Sequence, residues 1–294
     1  MPPAAAITPD GWTVVLPRWS KRRRQKSQIP KSPPSSRIPT PIPWTPAIQT
    51  DPINISDESK LLHKIHISLQ KLQSSQFYHA LAALLRSPQT LASLSRALSS
   101  HPNMLMPMVV YGIGSIGSHY PPRLQLALAI LLRRNFDWIG DVQVFDPVIS
   151  AAEARVMASL GCPVLSVDEQ ARRVVDRPTL FFMPHCEAAL YDNLIEANWA
   201  PERLNRMVVF GNSFGRYERF ALEFGDSEIA ASARHVLGVR RFVEEVGVEM
   251  VEEDFYRAFN ETSWHFFNLD PGMDMGGVKL GHPIAADNNS IQGV

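Results

Sequence analysis

The run Met183-Pro-His-Cys186 sets an imidazole beside a thiol, a pair from which a nucleophile with its base, or two ligands of a metal, can be built. A nucleophile needs a base held by an orienting group, and the spacing identifies neither. A structural zinc needs four ligands in recognisable pairs. Cys162 is the one other cysteine, so no metal is expected. Near the N-terminus of the helix expected next, the Cys186 thiol would have a lowered pKa and raised reactivity. His185 and Cys186 are therefore carried forward as candidate ligand contacts, with catalytic residues left unassigned.

A second constellation is Gly112-Ile-Gly-Ser-Ile-Gly117, which has the GxGxxG spacing of turns where a pyrophosphate approaches a helix N-terminus. Two features depart from the dinucleotide pattern. Ser118-His-Tyr-Pro-Pro122 delays the helix to about residue 121, and Asp146, the acid that ends the following strand, stands 29 residues beyond Gly117 rather than about 20. The turn admits a nucleotide-like ligand, an anion or a structural role, with Gly112, Gly114, Ser115 and Ser118 as candidate contacts. Asp146 could accept from a ribose or order its own turn. Gly211-Asn-Ser-Phe214 repeats the theme, because Gly and Asn tolerate left-handed backbone and exposed amides there can hold an anion; Asn212 and Ser213 join the candidates. No G-x-S-x-G elbow is present, so a hydrolase serine is not indicated.

Between these runs, a helix over 188–198 places Leu190, Leu194 and Ala197 on its core stripe, Asn193 and Asn198 at the edges, and Asp192 and Glu196 facing away. Asn193 serves either a ligand or nearby backbone. Cys162-Pro163 is a Cys-Pro pair of the kind seen in haem-responsive proteins, but two residues carry little weight and a buried small thiol is the default reading. His63 and His66 share a helix face without a third ligand near in sequence, which reads as a solvated face.

The elements that must position these groups alternate. Short β-rich runs at 108–111, 142–145, 164–167, 180–182 and 207–210, with a further candidate at 248–251, are separated by helical stretches at 124–135, 151–160 and 188–198. Such alternation predicts an α/β fold, a Rossmann-like three-layer domain with a mainly parallel sheet. Ligands bind outside the carboxyl ends of such strands, where the polar runs fall. A helical lead-in over 56–99 precedes the sheet, with Ser56 and Asp57 as its cap.

Half of the 24 prolines fall within residues 1–52, which predicts a disordered arm. Eight cations, Arg18, Lys21, Arg22, Arg23, Arg24, Lys26, Lys31 and Arg37, lie there with no acid between Asp10 and Asp51. Lys21-Arg-Arg-Arg-Gln-Lys26 matches a basic nuclear-localisation run as well as a solvated charge cluster. The formal net charge is +0, so the remaining body is net acidic and lacks the cationic footprint of a DNA-binding surface. With two cysteines, no secretory-type leader and no long apolar run, the expectation is a soluble intracellular protein. Residues 53–268 are expected to form the domain and 269–294 a flexible tail.

Taken in order, Tyr111-Gly-Ile-Gly-Ser115, Arg123–Ala127, Phe145-Asp-Pro147, Thr179–Cys186, Leu190–Leu194, Asn198-Trp199, Gly211–Phe214 and Ala258–Trp264 resemble the Sensitivity to Red Light Reduced family over about residues 108–267. The opening Asp10-Gly-Trp-Thr-Val-Val-Leu-Pro17 and its basic sequel resemble the plant members. The resemblance implies a regulator of circadian-clock input and red-light (phytochrome B) signalling, in nucleus and cytoplasm, acting with signalling proteins. Animal members imply a further link to haem-biosynthesis regulation. The family supplies no agreed catalytic residues. Regulation through partners or a sensed ligand, and a cryptic enzyme or nucleotide- or haem-binding protein, are the two functional readings.

Overall fold

The computed structural model describes residues 42–46, 55–99, 104–224, 228–250 and 252–281. The basic run Lys21–Lys26 and the rest of the expected arm up to residue 41 lie outside them.

A short β1 (Ile42–Pro43) precedes three helices, α1 (Ile55–Gln73), α2 (Gln76–Leu85) and α3 (Pro88–Leu98). The last two start where Ser75 and Ser87 accept hydrogen bonds from backbone amides three residues on. There follow β2 (Met106–Tyr111), α4 (Tyr120–Asn135), β3 (Ile139–Phe145), α5 (Ala151–Ser159), β4 (Val167–Asp168) and β5 (Thr179–Met183). The chain continues through α6 (Ala188–Ala197), α7 (Pro201–Leu204), β6 (Met207–Asn212), α8 (Phe214–Phe224), α9 (Glu228–Ser232), α10 (Arg234–Val239), β7 (Val243–Gly247), α11 (Glu253–Phe259) and β8 (Thr262–Phe267). Pro121 and Pro122 sit in the first turn of α4, where the missing amides cost nothing, so the helix starts at Tyr120.

The main sheet has the order β3-β2-β5-β6-β8-β7. The first four strands are parallel, β8 runs antiparallel to them, and the edge strand β7 is antiparallel to β8. Alternation along the strands divides the core in two. Met108, Val110, Leu180, Phe182, Val208 and Phe210 face α1–α5 and α11, while Val109, Tyr111, Phe181, Met183 and Val209 face α6, α8 and α10. That is the three-layer α/β arrangement. α4 is buried almost all round, with Leu124 to Leu132 each at 4% exposure or less, because it packs on the sheet beneath and on α1 and α11 beside it.

Several sequence expectations change. The strand expected over 248–251 lies earlier, as β7, where Val243 and Val246 flank Glu244 and Glu245 at the sheet edge. The run at 164–167 gives a single bridge from Val164 to Val144 and then the two-residue β4, paired with β1 rather than with the main sheet. Pro163 offers only its carbonyl to β3, which limits the ladder. On α6 the buried residues are Tyr191, Leu194 and Ile195, so the stripe is rotated from the one expected. Residues 269–281 are no tail: Leu269, Met275 and Val278 are buried in the second core. Asn205 and Trp199 hydrogen-bond the backbone of Leu269 and Met275. No helix among the described residues is long and apolar enough to cross a membrane.

Candidate functional site

After β2 and α4 the chain places β3 on one side of β2; it then crosses back to place β5 on the other. The loops leaving β2 and β5 therefore diverge, and a crevice opens between them at the carboxyl ends of the strands. A cleft of about 310 Å³ lies there. Tyr111 and Gly112 come from the end of β2, Asp146 from the end of β3, and His185 and Cys186 from the end of β5. Asp168 arrives from β4.

The first turn is fixed by contact. Gly112 has φ +68°, and a Cβ there would sit 2.4 Å from the Cys186 sulfur. Only glycine allows the two loops to approach so closely. The Cys186 thiol donates to the Tyr111 carbonyl at 3.2 Å. Burial pushes its pKa up, with the Asp146 and Glu187 carboxylates adding to the effect. The reactive thiolate expected of Cys186 is thus corrected: its sulfur is buried under the glycine turn, and the environment disfavours the anion.

Asp146 is 8% exposed and works inward. One oxygen accepts from Gly114 N at 2.8 Å and the other from Val148 N at 2.9 Å. Glu153, which the sequence did not single out, does the same for the rest of the turn. It accepts from Gly117 N at 2.7 Å, from the Ser115 hydroxyl at 2.6 Å and from Ser150 N at 2.8 Å, the last as part of a capping box on α5. Burial raises the pKa of this carboxyl, but the hydrogen bonds from Ser115, Ser150 and Gly117 outweigh it and hold the pKa below its usual value. The S-x-x-E spacing of Ser150 and Glu153 was the available signal.

His185 takes a left-handed backbone, φ +61°, costly for a non-glycine residue. Its amide donates to Asn212 Oδ1 at 2.7 Å, and its Nε2 lies 3.2 Å from the Asn260 carbonyl. That contact assigns the proton to Nε2 and leaves Nδ1 as an acceptor. Desolvation holds the ring's pKa below its usual value. Asn212 also donates to the Cys186 carbonyl and the Tyr217 hydroxyl, so it braces the β5 loop from behind. Tyr191 completes the brace: its hydroxyl donates to the Met183 carbonyl and accepts from Asn212 N. A Cβ on Gly211 would meet that hydroxyl at 2.5 Å. An aromatic hydroxyl at a buried helix position was the overlooked cue.

The structure therefore brings Gly112, Asp146, His185 and Cys186 together. Ser115 and Ser118 line a neighbouring cleft of about 540 Å³ with Glu153, Lys60 and Lys64. Ser213 accepts from Arg216 N in the first turn of α8. Asn193 accepts from Arg172 and donates to the Gln170 carbonyl, outside the cleft lining. Asp192, expected to face solvent, accepts from the amides of His235 and Val236 and pairs with the His235 ring. No group of three or more potential metal ligands occurs among the described residues.

Residues 90–266 match the SRR1 domain. The chain is 43% identical over 259 residues to "Protein SENSITIVITY TO RED LIGHT REDUCED 1" of Arabidopsis thaliana, covering 87% of this chain and 90% of that protein. It is 34% identical to an SRR1-like protein of Mus musculus, covering 72% and 87%. Among solved structures, MtNAS in complex with MTA and tNA aligns with TM-score 0.33 and 14% identity, covering 71% of each chain. The 23S rRNA methyltransferase ErmE aligns with TM-score 0.33 and 12% identity, covering 64% of this chain and 71% of that one. Likenesses this weak carry no argument about what this chain binds.

Proposed function

The chain belongs to the SRR1 family, and on that premise we propose that it is a component of red-light signalling that feeds the circadian clock. The observation that carries this reading is the 43% identity, over 87% of the chain, to the Arabidopsis relative whose name records reduced sensitivity to red light. In this reading the cleft between β2 and β5 is the sensing site, and signalling proteins read its occupancy. Binding is favoured over nucleophilic catalysis by Cys186 because that thiol is buried and its pKa is raised. The protein acts in nucleus and cytoplasm, with Lys21, Arg22, Arg23, Arg24 and Lys26 as the nuclear-localisation signal.

Expression of this chain in Arabidopsis seedlings lacking the relative tests the role. Restored growth inhibition across a red-light fluence series is expected; seedlings that stay as insensitive as the parent line contradict it. Replacing the five basic residues by alanine in a fluorescent fusion should shift signal from nucleus to cytoplasm. An unchanged distribution removes that assignment.

A further inference from the structure

We propose that the cleft takes a phosphate-free, positively charged nucleoside, the chemical class of S-adenosylmethionine, an inference that rests on reading the cleft as a ligand site. The first argument concerns the backbone amides. A phosphate-binding glycine turn presents its N–H groups to the ligand, whereas here five of the eight amides from Gly112 to His119 are bonded within the protein. Gly112 N donates to the Phe145 carbonyl, Gly114 N to Asp146, Gly117 N to Glu153, Ser118 N to the Ser115 hydroxyl and His119 N to the Ser115 carbonyl. At the β5 loop, His185 N is taken by Asn212 and Cys186 N by the Met183 carbonyl. Two of the turn's amides are capped by carboxylates, so a phosphate laid on the turn would meet negative charge where the GxGxxG pattern suggests a donor.

The second argument is the lining. Asp146, Asp168 and Glu187 bring three carboxylates to the cleft, and its twelve lining residues include neither a lysine nor an arginine. The nearby guanidinium groups are engaged elsewhere, Arg172 with Glu196 and Arg173 with Glu169. Carboxylates only accept hydrogen bonds. Such a lining selects a ligand that is rich in donors and carries positive charge. A ribose diol supplies donors that the Asp168 and Glu187 carboxylates can accept, both oxygens of Asp146 being taken already by the Gly114 and Val148 amides. Apolar walls from Tyr111, Phe145, Pro147, Ala171 and Leu190 accept a flat base. At about 310 Å³ the cleft lies at the small end of ligand sites, roughly 300–1,000 Å³, and suits one nucleoside better than a dinucleotide.

The test is thermal shift and calorimetry on the full chain with S-adenosylmethionine, adenosine, AMP and NAD as probes. S-adenosylmethionine at a hundredfold excess over its Kd is expected to raise Tm by about 5–10 °C, adenosine less, and AMP and NAD not at all. Asp168→Asn keeps the shape and can still accept from Gln170 N, as the carboxylate does at 2.8 Å. It should weaken S-adenosylmethionine about tenfold, a typical loss for one charge contact near a surface, and leave adenosine within about twofold. No shift with S-adenosylmethionine, a shift with AMP or NAD as large as its own, or an unchanged Kd in Asp168→Asn overturns the proposal. A shift with AMP alone overturns the ligand class and leaves the cleft as a ligand site; failure of the seedling rescue strikes the signalling role instead.

Discussion

Among the described glycines, Gly112 leaves the least room for a side chain, because the Cys186 sulfur lies over it. Gly112→Ala combines a left-handed backbone with a Cβ placed 2.4 Å from that sulfur. It is expected to lower unfolding free energy by about 2–4 kcal/mol in urea titration. Adding Cys186→Ala removes the clash but not the backbone cost, so the double variant should be less destabilised than the sum of the two singles; strict additivity would contradict the contact. His265 is the second residue-level case. It is fully buried, donates from Nδ1 to the Val209 carbonyl, and stands 3.8 Å from Glu245. Burial lowers its pKa from 6.5 to about 4 despite the nearby Glu245 carboxylate, while Arg240 lowers it further. Between those values the unfolded chain binds more protons than the folded one. The neutral ring's contribution is therefore present above pH 6.5 and lost as pH falls toward about 4. His265→Asn should flatten this part of the pH–stability curve, and an unchanged slope would contradict it. Sequence reading found Gly112, Asp146, His185 and Cys186, because glycines and polar groups at strand ends stand out in an apolar chain. It misjudged the thiol's state, since a helix start in sequence says nothing about the backbone lying over it.

Among the elements, the glycine turn is held by side chains from two others: Asp146 after β3 and Glu153 on α5. Glu153→Ala leaves Gly117 N without its acceptor and breaks the capping box. A cost of about 1–3 kcal/mol is expected, with faster hydrogen exchange at Gly117 and Ser150. Protection unchanged at both amides would show that the turn is ordered by other means. Most of the parallel strands were legible, because continuous apolar runs such as Leu180-Phe-Phe182 mark strands buried on both faces. The antiparallel edge was not. β7 carries two adjacent glutamates between its valines, and β8 mixes His265 with aromatics, so neither has the continuous apolar signature.

For the molecule as a whole, residues 269–281 close the second core, although the Gly- and Asn-rich run from Asp270 to Val294 suggested a tail. Ending the chain at Asn268 removes the burial of Leu269, Met275 and Val278 and the hydrogen bonds of Asn205 and Trp199. A loss of roughly 4 kcal/mol or more is expected, measured by denaturant unfolding; a truncated chain as stable as the full one would refute the packing. At this scale the three-layer architecture was readable from alternation, whereas the switch point follows from the strand order, which only the structure shows. In the proposed reading, the cleft at that switch point carries the red-light function. The most direct measurement is the red-light fluence response of rescued seedlings expressing Leu190→Trp, which fills the cleft, or Glu187→Arg, which alters its charge from an exposed position. With each variant accumulating to wild-type level and melting within a few degrees of it, both are predicted to leave seedlings insensitive to red light. Full restoration of sensitivity by both would contradict the account.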